Sequence, residues 1–418
     1  MSSPSIADPG LADAGRDRIE WADAQMPVLR SIRERFAAER PLEGIRIAAA
    51  LHVTAETANL LRALTAGGAQ LALAAANPLS TQDDVAASLV AHHGVDVRAV
   101  HGEDARSYAR HLSEMVASEP DVTLDDGADL VAGLHAERPE AAARMLGALE
   151  ETTTGLLRLR VMEAAGRLAC PVFAVNEARA ERAYNDRFGT GQSTLDGILR
   201  ATNLLLAGQT FVVLGYGWTG QGVALRARGA GASVIVCEVD PLRALEARME
   251  GFEVMPALEA APRGDVFVTV TGNRDVLTRA HFERMKDNAV LANAGHFDVE
   301  ISLPDLTALS VSPPRTVRPL VDQYDLGNRR LNLLARGRVV NLAAAEGHPA
   351  AVMDVSFAIQ ALTCEHVVAR RGELAAAVHP VPDAIDRETA RLKLVALGVG
   401  IDELTARQRG YLRGWAPE

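Results

Sequence analysis

Short apolar runs alternate with amphipathic stretches along most of this chain. Residues 45–51 (Ile-Arg-Ile-Ala-Ala-Ala-Leu), 69–76, 95–100 and 121–124 are apolar runs of strand length, and residues 54–67, 80–93 and 107–117 repeat their apolar positions at helical spacing. Strands and helices in strict alternation predict a parallel sheet covered by helices on both faces. A helical stretch at 193–207 follows Gly189, and the alternation resumes with runs at 210–214, 233–237, 266–270 and 290–292. An apolar run at 337–342 and a long helical pattern at 350–370 come next. The final segment, 385–415, is amphipathic and charged, more tail than domain.

One turn in this pattern carries chemistry. The run Thr210-Phe-Val-Val-Leu ends in Gly215-Tyr-Gly217-Trp218-Thr219-Gly220, a helical stretch follows, and the next apolar run ends in Glu238. In such a fingerprint the first glycine permits a tight turn, the second lets the backbone approach a pyrophosphate, and the third lets the new helix pack closely with its N–H groups facing the phosphates. A carboxylate about 20 residues on accepts hydrogen bonds from the adenosine ribose and repels a 2'-phosphate, so NAD is expected rather than NADP. The expected fold class is α/β: two doubly wound parallel-sheet domains, the central one a Rossmann NAD-binding domain, plus a C-terminal tail. Residues 190–345 are expected to form the central domain, inserted between 1–180 and 350–388, with hinges near 178–192 and 342–355 and the tail at 389–418.

Composition narrows the class. A chain of 418 residues exceeds what one core usually supports. With 48% hydrophobic and 23% charged residues it reads as an ordinary globular protein. A net charge of −11 argues against a nucleic-acid partner, which needs a basic face. Cys170, Cys237 and Cys364 are widely spaced, suiting buried thiols in a reducing cytoplasm, and no metal-ligand spacing is present. The first residues lack the basic and apolar regions of a signal peptide, and no 18-residue apolar span is expected, so neither export nor a membrane is anticipated. Only Lys286 and Lys393 are lysines.

Polar clusters gather at the predicted carboxyl ends of strands, where open α/β sheets bind ligands. They are His52-Val-Thr54-Ala-Glu56-Thr57, Asn77 to Asp83, Leu124-Asp125-Asp126-Gly127 and Glu150-Glu151-Thr152-Thr153-Thr154. The later half adds Thr271-Gly-Asn273, Asn293-Ala294-Gly295-His296-Phe-Asp298 and Asn341 to His348. Thr54 and Ser80 read as helix N-caps and Asp126-Gly127 as a turn. Capping does not explain their accumulation at one edge.

From about Pro41 onward, the segments Gly189-Thr-Gly-Gln-Ser-Thr, Asn293-Ala-Gly-His-Phe-Asp-Val-Glu and Asn341 to Met353 resemble the adenosylhomocysteinases (S-adenosylhomocysteine hydrolases), in the short form of archaea and thermophilic bacteria. The resemblance implies a cycle in which tightly bound NAD oxidises the ribose 3'-hydroxyl, the 5'-substituent is eliminated, water adds and the ketone is reduced again. It implies that Thr54, Glu56, Thr57, Gln82 and His348 hold the adenine, with Glu151 near the substrate hydroxyls. Thr152, Thr153, Thr154, Asn273, Ala294, Gly295 and Asn341 would meet the nicotinamide end, and His52, Asp126 and His296 would surround the 4' and 5' carbons for proton transfer. A substrate-binding domain at 1–180 with 350–388, an oligomerisation tail, a homotetramer or dimer, and a cytoplasmic location are implied with it. The resemblance to the short form implies a chain end without the longer tail of other members.

One segment departs from the family. Where the pattern places lysine, aspartate and asparagine, this chain has Glu181, Asn185 and Asp186. No lysine is near in sequence, and arginine does not lose its proton in proteins. If all ionise, the charge beside the nicotinamide changes by −2. One extra charge at roughly 5 Å is worth about 3 kcal/mol at an effective dielectric near 20, enough to slow oxidation about a hundredfold. Three readings follow: an inactive regulatory paralogue; an adenosylhomocysteinase with rearranged bases; or a diverged enzyme acting on another adenine nucleoside. The last is favoured, with Glu181 as base and a dehydratase or lyase outcome, a 4',5'-unsaturated nucleoside of the kind an antibiotic pathway uses.

Overall fold

The structure, a computed structural model, describes residues 4–414. The leader reading at Met1–Ser3 and the end of the tail at Trp415–Glu418 lie outside the described residues. Strands β1 (Arg46–Leu51), β2 (Gln70–Ala75), β3 (Asp96–Arg98), β4 (Val122–Asp125), β5 (Gly147–Glu150) and β6 (Val172–Ala174) precede a second set. That set is β7 (Thr210–Leu214), β8 (Ser233–Cys237), β9 (Glu253–Val254), β10 (Val266–Thr269), β11 (Ala289–Asn293), β12 (Arg315–Arg318), β13 (Val321–Asp325) and β14 (Arg330–Leu334), and β15 (Val378–Pro380) comes last.

The first sheet has the order β15-β6-β5-β4-β1-β2-β3 and the second β12-β13-β14-β11-β10-β7-β8-β9. All pairings in the first are parallel, so the fold is α/β with two parallel-sheet domains, the second Rossmann-like. Central strands are apolar without alternation because helices cover both faces: every residue of β1 after Arg46 is buried. Separate apolar clusters pack on the two faces of each sheet.

The expected elements form with shifted edges. The stretch at 80–93 becomes helical only from Asp83, because Thr81 pairs with Val53 in a parallel bridge. The helix expected over 193–207 is Gly191–Thr202, closed by Asn203 in the left-handed region. The apolar run at 337–342 splits: Val339 bridges to Asn293, and Val340–Ala343 is a short helix. The antiparallel β12, β13 and β14, the helices Ala12–Ala24 and Pro27–Glu39, and β15 lie outside the expected elements.

The helix Ala350–Ala369 corrects the expectation that no apolar span occurs. It is long and apolar enough to cross a membrane by length and composition, yet 72% of the qualifying window is buried inside the protein. It carries the chain back onto the first sheet's apolar cluster. There Asp354, fully buried, accepts hydrogen bonds from Val28 N (3.3 Å) and Leu29 N (2.9 Å) and from Lys393 Nζ (2.8 Å). The carboxylate thus caps the helix Pro27–Glu39 from another part of the chain and fastens the helix Asp383–Ala396 beneath it. The boundary expected at 388/389 falls inside this helix, held across that point by the buried Lys393. Removing one partner of a buried pair strands the other charge, so Lys393→Met is expected to destabilise the first domain by about 3–5 kcal/mol, read as a lower first transition in calorimetry.

Candidate active site

The ladders decide which residues meet. In the first sheet Ala50 lies opposite Asp125, Asp125 opposite Glu150, and Glu150 opposite Ala174. The strands therefore end nearly level, and His52, Asp126, Glu151 and Asn176 emerge at one edge. In the second sheet Leu214 lies opposite Cys237 and Thr269, and Thr269 opposite Asn293. Gly215, Glu238, Val270 and Ala294 emerge together there. Both edges open on one cavity of about 1290 Å³, large enough for a dinucleotide and a nucleoside side by side.

At the first edge Asp126 stands between two histidines. Its Oδ2 is 3.3 Å from His52 Nε2 and its Oδ1 is 3.7 Å from His296 Nδ1. The Ser80 hydroxyl donates to Asn77 O (2.9 Å), so its oxygen accepts from His52 Nδ1 at 2.7 Å. That bond places the neutral ring's proton on Nδ1 and turns Nε2 toward Asp126. Burial lowers the His52 pKa, opposed by the charge of Asp126. Ser80 is therefore not the cap of the following helix, whose N-cap is Gln82, but an orienting partner of His52. Thr54 does cap its helix, accepting from Thr57 N.

The second edge fits NAD. Gly215 has φ +106, and a Cβ at Gly220 would lie 2.1 Å from Gly215 O, so the turn and the close helix both require glycine. A Cβ at Gly217 would meet only Arg243, at 3.5 Å, leaving the phosphate side open. Glu238 accepts from Tyr216 N (2.7 Å) and from Val239 N and Asp240 N, which fixes its carboxylate at the cavity wall. Glu300, buried, accepts from Thr271 N, Thr271 Oγ1 and Gly272 N and so shapes the loop that carries Asn273. Asn293 donates to Gly295 O, Phe297 O and Gly337 O and accepts from Gly295 N, holding the Ala294–Gly295 backbone in place.

The departing segment lies between the edges. Arg182–Thr190 is a π-helix, and its Arg187 carbonyl approaches so closely that a Cβ at Gly222 would sit 1.8 Å from it. Glu181 is buried and accepts hydrogen bonds from the Asn185 amide and the Ser356 hydroxyl; the same amide donates to Ser356 Oγ at 2.9 Å. Glu151 lies within hydrogen-bonding reach of Glu181 and accepts from Gln360 Nε2 at 2.7 Å. Burial, then the charge of Asp186, pushes Glu181 up to about 8; burial pushes Asp186 up to about 7, opposed by Arg182 and by a hydrogen bond from Asn176. Burial and Glu181 raise Glu151 well above the ordinary carboxylate range. The −2 charge difference that full ionisation would give is thus reduced near neutral pH, because burial raises the proton affinity of both carboxyls.

The structure brings almost all the expected residues onto this wall. His52, Asp126, Glu181, Asn185, Asp186, His296, Thr54, Glu56, Thr57, Glu151, His348, Thr152, Thr153, Thr154, Trp218, Thr219, Asn273, Ala294, Gly295 and Asn341 line it with Gly215, Gly217 and Glu238. Two do not. Gln82 lies behind the wall, its Oε1 accepting from Ala55 N (3.2 Å), and Gly220 packs beneath the turn. His348 Nε2 is met by Thr190 Oγ1 (3.0 Å) and Asn341 Nδ2 (3.4 Å), and burial lowers its pKa to about 4. Sequence reasoning missed Ser356 and Gln360, which look apolar by context on a core helix; their facing positions at helical spacing were the available signal.

Comparison with known proteins agrees with this geometry. Residues 186–347 match the family model described as S-adenosyl-L-homocysteine hydrolase, NAD binding domain, and residues 4–141 match S-adenosyl-L-homocysteine hydrolase. The cofactor is therefore NAD. The chain is 58% identical to an adenosylhomocysteinase of Aquifex aeolicus, over 98% of each protein, and 55% identical to one of Thermosynechococcus vestitus, over 98% of this chain and 96% of that protein. It is 53% identical to an S-inosyl-L-homocysteine hydrolase of Methanosarcina mazei, over 97% of this chain and 98% of that protein. These findings overturn the expected dehydratase or lyase of nucleoside-antibiotic formation: relatives this similar over nearly the whole chain are named as hydrolases, and the substituted trio retains ionisable groups at the same wall. Replacing Gly220 by alanine would drive its Cβ into the Gly215 carbonyl, and purified Gly220→Ala protein is expected to have lost more than about nine-tenths of its bound NAD, measured by release on denaturation.

Proposed function

The chain belongs to the S-adenosyl-L-homocysteine hydrolase family, and from that premise we propose that it hydrolyses S-adenosyl-L-homocysteine to adenosine and homocysteine. The observation that carries this reading is the single cavity shared by the glycine fingerprint and the His52–Asp126–His296 group. Bound NAD would supply a reversible hydride acceptor for the substrate, which would make the neighbouring carbon acidic. The protein supplies the rest. Thr54, Glu56, Thr57 and His348 hold the purine, and Gln82 acts at one remove by orienting the helix start at Ala55. His52, with Nε2 free of its own proton, takes the proton from the 4' carbon, and His296, paired with the Asp126 carboxylate, passes a proton to the departing sulfur.

Thr152, Thr153, Thr154, Asn273 and Asn341 serve the nicotinamide end in this reading, with the Ala294–Gly295 backbone. Thr153 Oγ1 is tied to Asn176 Oδ1 at 2.7 Å, which couples that contact to the segment carrying Glu181. The proposed domain division follows the two sheets, with the oligomerisation tail beginning after the helix Asp383–Ala396, at Leu397. Exposed Leu397, Val399, Ile401, Leu404, Tyr411 and Leu412 support that role, and the buried free thiols suit a reducing cytoplasm.

The NAD-loaded protein is expected to release thiol from S-adenosyl-L-homocysteine, with S-inosyl-L-homocysteine run alongside to read purine selectivity; absence of thiol from both would reject the reading. Asp126→Asn should lower this turnover by at least about a hundredfold while NAD content stays within twofold. Light scattering should give a tetramer or dimer mass, and deletion of residues 397–418 should lower it.

A further inference from the structure

The trio that sets this chain apart forms a hydrogen-bonded arrangement of its own. Asn185 has a single amide group to give, and it spends both hydrogens inward, one on Glu181 Oε1 and one on Ser356 Oγ, while the Ser356 hydroxyl donates to Glu181 Oε2. Two donors from different elements therefore converge on one carboxylate, an arrangement that favours its ionised form and fixes its orientation. Glu151 approaches from the end of β5, and Gln360 donates to its Oε2. Its other oxygen, Oε1, is buried at the cavity wall and receives no donor among the described residues, which suits it to carry the proton that Glu151 offers to Glu181. Neither lysine is available here: Lys393 is bound to Asp354 and Ala351 O, and Lys286 is bound to Asp265.

Resting on the hydrolase reading above, we propose that Glu181 is the proton acceptor for the ribose 3'-hydroxyl, with Glu151 as its hydrogen-bond donor and Ser356 and Asn185 as positioning residues. In the oxidation half-step the 3' carbon loses its hydrogen together with the bonding electron pair, as the hydride that NAD accepts. The 3' oxygen loses its proton to the Glu181 carboxylate, and the carbon–oxygen single bond becomes a double bond. The return half-step runs the same transfers backward, with the proton returned from Glu181. The neutral Glu181 carboxyl then faces the carbonyl as a donor, which helps it withdraw electrons from the 4' carbon.

The groups that set the acceptor's protonation are Asp186 on the same π-helix, with Arg182 opposing it, Glu151 from the first sheet, and Ser356 and Asn185 as donors. Burial and Asp186 hold Glu181 protonated below about pH 8, so the oxidation step should quicken as pH rises toward that value and fade below it.

Two measurements test this. In NAD-loaded protein mixed with adenosine, the rate at which reduced-cofactor absorbance appears should fall at least about a hundredfold in Glu181→Gln, with adenosine affinity by calorimetry within about threefold of the parent. Ser356→Ala removes a donor to the carboxylate and should move the pH dependence of that rate upward by about one unit. Independently of turnover, the infrared carboxylic-acid absorption of the nucleoside-free protein should contain a component titrating near pH 8 that disappears in Glu181→Gln. A Glu181→Gln protein that still reduces its cofactor at near-parental rate, or an infrared titration unchanged by that substitution, would overturn the proposal. A parent that reduces its cofactor but frees no thiol would instead count against the hydrolase reading alone.

Discussion

Parallel strands leave one end of a sheet for chemistry, because each chain crosses back along a covering helix and re-enters at the opposite edge. Everything functional in this protein depends on two such edges facing each other. The ladders align the ends of β1, β4, β5 and β6 to within a residue, and they do the same for β7, β8, β10 and β11. A slip of one residue would turn His52, Asp126 or Glu151 away from the cavity, since successive side chains alternate in direction. The register is in turn held by burial of both faces of the central strands.

The second constraint is the burial of carboxylates where no lysine is present. Asp125, Glu150, Glu151, Glu181 and Asp186 all sit in surroundings that raise their proton affinity, burial being the first cause in each case. Backbone and hydroxyl donors offset part of this cost: Glu150 accepts from Gly127 N, Thr152 N and Thr152 Oγ1, and Asp125 from Val131 N. The same bonds shape the turns that carry Asp126 and Thr153. Buried acidity thus serves both the local geometry of the strand ends and the supply of exchangeable protons.

Much of this was legible in the chain itself. The glycine fingerprint, the β/α alternation and the polar clusters at strand ends each follow from local rules, since a tight turn needs glycine and a strand buried on both faces needs an apolar run. The short strands β12 to β15 and the two helices before Pro41 were not, because β12 is exposed throughout and β15 is only three residues long, too short for a pattern to stand out. Ser80 illustrates the limit at a single residue. Its position before a helix reads as a cap, yet the parallel bridge between Val53 and Thr81 delays the helix and frees the hydroxyl for His52.

The sequence by itself determined the fold class, the cofactor and the family, because these rest on residue types at fixed short spacings. It also showed that Glu181, Asn185 and Asp186 depart from the family pattern, but that departure pointed to the wrong reaction. Only the tertiary structure decided what those charges are worth. Helix Ala350–Ala369 brings Ser356 and Gln360 against Glu181 and Glu151 from some 170 to 210 residues away, and the surrounding core removes the water that would otherwise keep the carboxyls ionised. Proton affinity is a property of that assembled environment, and no local pattern encodes it.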